Sequence, residues 1–162
     1  MHDQISSMDP QQTRVWIYQA NNPFPEQDLP QIRRQISDFA QQWISHNRLL
    51  RAAGDVLHDR FVVLMADESQ VDAGGCSIDR SVAFLKGLQA AYGVDLFDRM
   101  RFSFLDSEGG VQTVDRQTFS ALYANGTIND ETPVFDTLVA TKADFDQAFV
   151  KPLAKSWHKR MV

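Results

Sequence analysis

A single cysteine, Cys76, in 162 residues leaves no internal disulfide to form. It suits a reducing compartment, so the cytoplasm is the expected location. No apolar run approaches the ~20 residues that a helix needs to span a bilayer, and no membrane partner is expected. Runs of Lys or Arg are missing as well. The net charge is -5, and no basic stripe offers a footprint for a phosphate backbone, which disfavours nucleic acid. The eight glycines include no Gly-Lys dipeptide. The glycine-rich phosphate cradle of P-loop nucleotide hydrolases, which ends in Gly-Lys, is therefore absent.

What is present fits one globular domain: 43% hydrophobic and 23% charged residues, with 11 Phe and 3 Trp as bulky core material. Residues 1–13, MHDQISSMDPQQT, are polar and lack the apolar centre of a signal peptide. They are expected to form a flexible tail, His2 included, ahead of a single α+β domain over residues 14–162. RVWIYQ (14–19) reads as a first strand, broken by ANNPFPEQ. Asp28 stands where it can cap a helix whose apolar stripe is Leu29, Ile32, Ile36, Phe39 and Trp43.

LLRAAGDVLHDRFVVLMADE reads as a hairpin turning at Asp59 and Arg60. Its second strand, 61–66, is continuously apolar and so expected at the centre of a sheet. Ser77 is expected to cap a second helix with Ile78, Val82, Leu85, Leu88 and Tyr92 facing inward, closed by Gly93. MRFSFLD and VQTV read as strands, and Asp115 caps a brief helix ended by Asn125 and Gly126. Thr141 and Asp144 form a capping box for a last helix, on which Phe145, Phe149, Leu153 and Trp157 recur every four residues and Pro152 makes a kink. That row is expected as core or, if uncovered, as a subunit interface. The order predicts an α+β fold: an antiparallel sheet with helices packed on one face. Its first six elements match the ferredoxin-like βαββαβ order, with a C-terminal helical extension.

VVLMADE (62–68) has the look of a Walker B strand, in which an acidic pair holds magnesium. The missing cradle removes the partner that such a strand needs. In ABC ATPases, moreover, the glycine-containing signature precedes Walker B, whereas AGGCS follows it here. RVWIYQA, DES followed by GCSID, LFDRM, LVATK and the late SWH together resemble a small bacterial family of uncharacterised proteins, often labelled "ABC transporter ATPase". The resemblance covers residues 14–158. It implies kinship, with no activity, fold or catalytic residues attached.

Chemistry is most plausible in the loop 67–79. Gly74, Gly75, Cys76 and Ser77 open a helix, whose free amides and dipole favour anions. Cys76 is the candidate catalytic nucleophile. Asp67, Glu68, Gly74, Gly75, Ser77 and Asp79 are the candidate ligand-binding residues. The same carboxylates, with Asp72, would repel a phosphate, and their spacing matches no metal-binding loop. As a thiol site the loop lacks an assigned base: His58 lies across the hairpin, but no spacing rule ties it to Cys76. The plain alternative makes the glycines a tight loop, Ser77 a cap and Cys76 a small buried hydrophobe. His46 and His158 fall near helix ends. Asp98 and Arg99 read as a local charge pair, or Arg99 as a partner for a ligand carboxylate. The expected function is a small cytoplasmic binding or interaction module acting as a homodimer on an unidentified small molecule or protein, with no cofactor implied. The alternative is a small-molecule enzyme, or an anion- or metal-binding protein, built on that loop.

Overall fold

The apolar run 61–66 becomes a strand covered on both faces. The structure, a computed structural model, describes residues 5–162; His2 lies outside them. Strand β1 (Thr13–Gln19) and strand β4 (Arg51–Leu57) flank β5 (Phe61–Asp67), and both run antiparallel to it. Every residue of β5 is buried. Because side chains alternate along a strand, Val62, Leu64 and Ala66 point one way. There they meet Leu29, Ile32, Ile36 and Ala40 of α1 (Leu29–Gln42) and Leu85 and Leu88 of α2 (Gly75–Tyr92). Phe61, Val63 and Met65 point the other way, onto Phe135, Val139 and Phe149. Helix α1 presses so closely on β4 that a Cβ on Gly54 would stand 2.6 Å from Ile36 Cγ2, which accounts for glycine in mid-strand.

The turns carry their own signatures. His58 and Asp59 both take positive φ, 51° and 60°, so the β4–β5 turn starts one residue earlier than expected. A two-stranded ribbon, β2 (Ile44–Ser45) with β3 (Arg48–Leu49), turns through His46 and Asn47 at φ 54° and 61°. Gly93 closes α2 in the left-handed conformation, as expected.

A second sheet faces the first. β6 (Arg101–Leu105), β7 (Val111–Asp115), β8 (Pro133–Phe135) and β9 (Val150–Pro152) form it in the order β7-β6-β8-β9, all antiparallel. Ser103 Oγ donates to Gln19 Oε1 at 2.6 Å across the gap between the sheets. The far side of the second sheet, through Phe102, Phe104 and Val134, packs on Phe119 of α3 (Arg116–Ala124) and on Leu153 and Trp157 of two C-terminal 3-10 turns. Asp115 caps α3 by accepting the Thr118 N–H at 2.8 Å, as expected.

The fold is α+β, and α1 and α2 do cover one face of an antiparallel sheet. It departs from the ferredoxin-like arrangement at the fourth strand. β6 does not pair with β1; it pairs with β7 across a short turn and with β8. A hairpin closed by five residues costs less chain entropy than a return to β1. The expected last helix also divides. Only α4 (Lys142–Ala148) is α-helical, with Thr141 Oγ1 accepting the Asp144 N–H at 3.1 Å. Phe149 then joins the core between the sheets, while Leu153 and Trp157 join the far one. Residues 5–13 are no loose tail: Met8 is buried with Val15 and Val139, and the Gln12 carbonyl accepts the Glu68 N–H at 2.9 Å. The Pro10 carbonyl accepts the Ala143 N–H at 3.0 Å, and Arg51 donates to Ser7 Oγ at 2.7 Å, so several contacts lay that segment down.

Candidate functional site

The loop after β5 brings its carboxylates inward or outward, but not together. Asp67 is 2% exposed. Its oxygens accept the N–H of Ser69 at 3.0 Å and of Asp9 at 3.5 Å, and Arg51 Nη1 lies 3.5 Å away. Burial opposes its ionisation most strongly, yet the hydrogen bonds from Ser69 and Asp9 and the Arg51 charge together hold the carboxyl below its usual range. Glu68 folds back to accept the Ala73 N–H at 2.7 Å and borders a hollow of about 370 Å³ with Thr13 and Thr141. Asp72 is exposed and stands 3.7 Å from His46 Nε2, and Asp79 is exposed on α2. Among the described residues no group of three or more His, Cys, Asp or Glu side chains is arranged to hold a metal ion.

The helix start is likewise occupied by the protein itself. Gly74 caps α2, and its N–H donates to Ser45 Oγ at 3.0 Å. Ser77 is not the cap: it lies three positions past it, in the first turn, donating its hydroxyl to the Gly74 carbonyl at 2.7 Å. A Cβ on Gly75 would meet nothing within 4 Å, so that glycine marks open surface. Cys76 is exposed, not the buried hydrophobe of the plain alternative. His58 stands at the opposite end of β5, roughly 20 Å of strand away, packed against Phe61 and Phe135. Cys76 thus has no base beside it from that side. Its thiol is expected to react fully with a thiol reagent in the folded protein, and Cys76→Ser to change stability by under about 0.5 kcal/mol. Thiol titration without denaturant, followed by urea unfolding, checks both; a thiol silent until unfolding would contradict the exposure.

A concavity lies elsewhere, along the outer edge of β1. It encloses about 440 Å³, a volume typical of ligand sites. Its floor is β1 from Val15 to Gln19, its walls are the segments 96–102 and 137–140, and Trp157, Arg160 and Met161 border it. Tyr18 meets Phe97 edge to face at 5.6 Å. Burial raises the Tyr18 hydroxyl's pKa, with Arg99 and Ser81 pulling against it, so the phenol stays protonated and can donate. The walls hold exposed apolar side chains, Leu138 at 59% and Met100 at 47%.

Asp136 organises one side of this cleft. It accepts the Leu138 N–H at 2.9 Å, the Trp157 indole N–H at 2.8 Å and Lys151 Nζ at 2.6 Å. Its burial works against ionisation, but these donors outweigh that and keep the carboxyl below its usual range. The charges in the cleft are Arg99, Arg101 and Arg160 against Asp98. Asp98 pairs with Arg101 Nε at 3.3 Å rather than with Arg99. Arg99 and Asp98 were the only cleft residues that the sequence marked as a ligand contact or a charge pair; Trp16, Ile17, Tyr18, Phe97 and Leu138 carried no functional signal, since bulky apolar residues in a strand or loop read as core. Compared with known proteins, the chain matches no family model, no curated protein and no solved structure.

Proposed function

We propose that the chain is a binding module whose ligand lies in the cleft on the outer edge of β1, and that the loop 67–79 is structural. The observation that carries this reading is the cleft itself. It combines aromatic and apolar walls with three arginines, in a chain whose net charge is -5. Such a mixture, mostly apolar with a few convergent polar groups, characterises ligand sites. The excess of cations over acids there favours an anionic ligand. Enzymatic use of Cys76 is not favoured, because the loop presents it to open surface with its neighbouring carboxylates engaged or pointing away. A homodimer, expected from the sequence, is not required: the apolar row, expected as an interface only if uncovered, is drawn into two cores. The cytoplasmic setting and the kinship with the labelled family remain compatible with this reading, without an ATPase step.

Amide chemical-shift mapping with a library of small acidic and aromatic fragments tests the site. The perturbed amides are expected to cluster in 15–19, 96–101 and 137–140. Perturbations confined to 67–79, or none at millimolar fragment, would remove the proposal.

A further inference from the structure

The edge of β1 is clasped at two points and open between them. Val15 N–H donates to the Ala140 carbonyl at 2.9 Å, and beyond the strand Asn21 N–H donates to the Asp95 carbonyl at 3.0 Å. The Val15 bond fixes which residues turn their backbone outward, because N–H and C=O directions alternate along an antiparallel strand. Ala20 confirms the alternation by donating inward, to the Arg60 carbonyl at 2.8 Å. Ile17 therefore presents its N–H and C=O to the cleft, and neither meets a partner among the described residues. The burial pattern agrees: Trp16, Ile17 and Tyr18 are half-buried between buried neighbours at Val15 and Gln19.

An open edge of this kind is normally protected by a Lys, a Pro, a bulge or a covering segment. The run VWIYQ carries no charge and no proline. The β6 strand that would cover it in a ferredoxin-like sheet is engaged with β7 and β8 instead. We propose that the cleft receives a short extended peptide bearing acidic side chains, which adds to β1 as the missing edge strand. This rests on the cleft being the binding site and names its occupant.

Two features select a peptide over a small acid. Ile17 offers a donor and an acceptor side by side, and a peptide backbone satisfies both in strand geometry, whereas a carboxylate satisfies only the donor. The gap between the two clasps, Val15 to Asn21, spans on the order of 20 Å, so a segment of a few residues fits between them. The acidic character follows from charge. Asp98 is committed to Arg101, while Arg99 and Arg160 are exposed and form no ion pair among the described residues. Opposite charge on the ligand would then set preference and association rate.

The experiment titrates the full chain with a capped pentapeptide alternating Glu and Val, its Lys-for-Glu counterpart, glutarate, and two copies N-methylated on either set of alternate amides. The acidic pentapeptide should slow hydrogen exchange at the Ile17 amide and bind at least about ten-fold more tightly than the Lys form. One methylated copy should fail to bind and the other should be tolerated, since only one set of amides faces β1. The double variant Arg99→Glu with Arg160→Glu, both at exposed positions, should reverse the charge preference. Equal binding by both methylated copies, glutarate matching the pentapeptide, or peptides that bind nowhere while fragments still perturb the cleft would each overturn the peptide and spare the site. Silence from fragments and peptides alike would end both proposals.

Discussion

Trp43→Ala is expected to lower the unfolding free energy by about 3–5 kcal/mol, the range for a large buried aromatic cut to alanine. Trp43 is 2% exposed and stands just past the end of α1 in an extended conformation. Its indole N–H donates to the Ser77 carbonyl in the first turn of α2 at 2.7 Å. Its ring meets Trp16 of β1 edge on at 5.3 Å and Phe39 of α1 at 5.3 Å, and Phe39 in turn stacks on Phe84 of α2 at 4.5 Å. One side chain therefore joins both helices to the edge strand that floors the cleft. Trp43→Phe separates the contributions: it keeps most of the ring contacts and loses the hydrogen bond, so the expected loss falls to roughly 1–2 kcal/mol. Urea unfolding measures both, and an unchanged slope with a lower midpoint marks a change in stability alone. A loss below about 1 kcal/mol for the alanine variant would mean that the helix–strand junction relaxes around the hole, contrary to close packing.

The sequence disclosed faces more readily than neighbours. The unbroken apolar run 61–66 announced a strand buried on both sides, and the stripe of α1 and the left-handed Gly93 fixed two helices and one helix end. The partner of β6 was hidden, because Phe102 and Phe104 alternate with Ser103 identically whether the strand pairs with β1 or with β7 and β8. Alternation specifies which face is buried; it does not say which edge is filled. The fourfold spacing of Phe145, Phe149, Leu153 and Trp157 imitated a helix, while Pro152 ended β9 opposite Pro133 and sent the two halves of the row to different cores. Proximity along the chain also misled at the loop 67–79. Asp67 is anchored to Asp9, Arg51 and Ser69, and Cys76 looks out. The cleft draws on segments from Val15 to Met161, and no local pattern could have assembled them.

Lowering the pH from 6.5 should destabilise the protein through His158. His158 is 1% exposed, stacked on Trp157 at 3.8 Å and set against Phe102 and Phe119. Its Nδ1 is 2.6 Å from Ser156 Oγ, and its Nε2 is buried without a partner among the described residues. Burial lowers its pKa from 6.5 to about 4; Asp136 pulls it up and Lys151 pushes it down, each by less. The unfolded chain therefore binds a proton near pH 6.5, and the folded chain resists it until about pH 4. Above the upper value the histidine costs nothing. Between the two, stability falls with pH at up to about 1.4 kcal/mol per unit, for a total of roughly 3 kcal/mol. Asp67 and Asp136 act lower in pH: with folded values below 3.8, their contribution is lost progressively from about pH 5 downward, mostly below the His158 window. His158→Phe keeps a ring against Trp157 but cannot be protonated, so its stability between pH 6.5 and about 5 should be nearly flat. His158→Gln provides the same comparison if the larger ring strains the core. Urea unfolding at half-unit pH steps reads the difference between slopes, whatever the variants' absolute stability. A wild-type curve without slope across this window, or a variant with the same slope, would show that the imidazole takes its proton without opening the C-terminal turns. Trp157 borders the cleft and shares Asp136 with Leu138, so the acid-sensitive element is also the one that shapes the site.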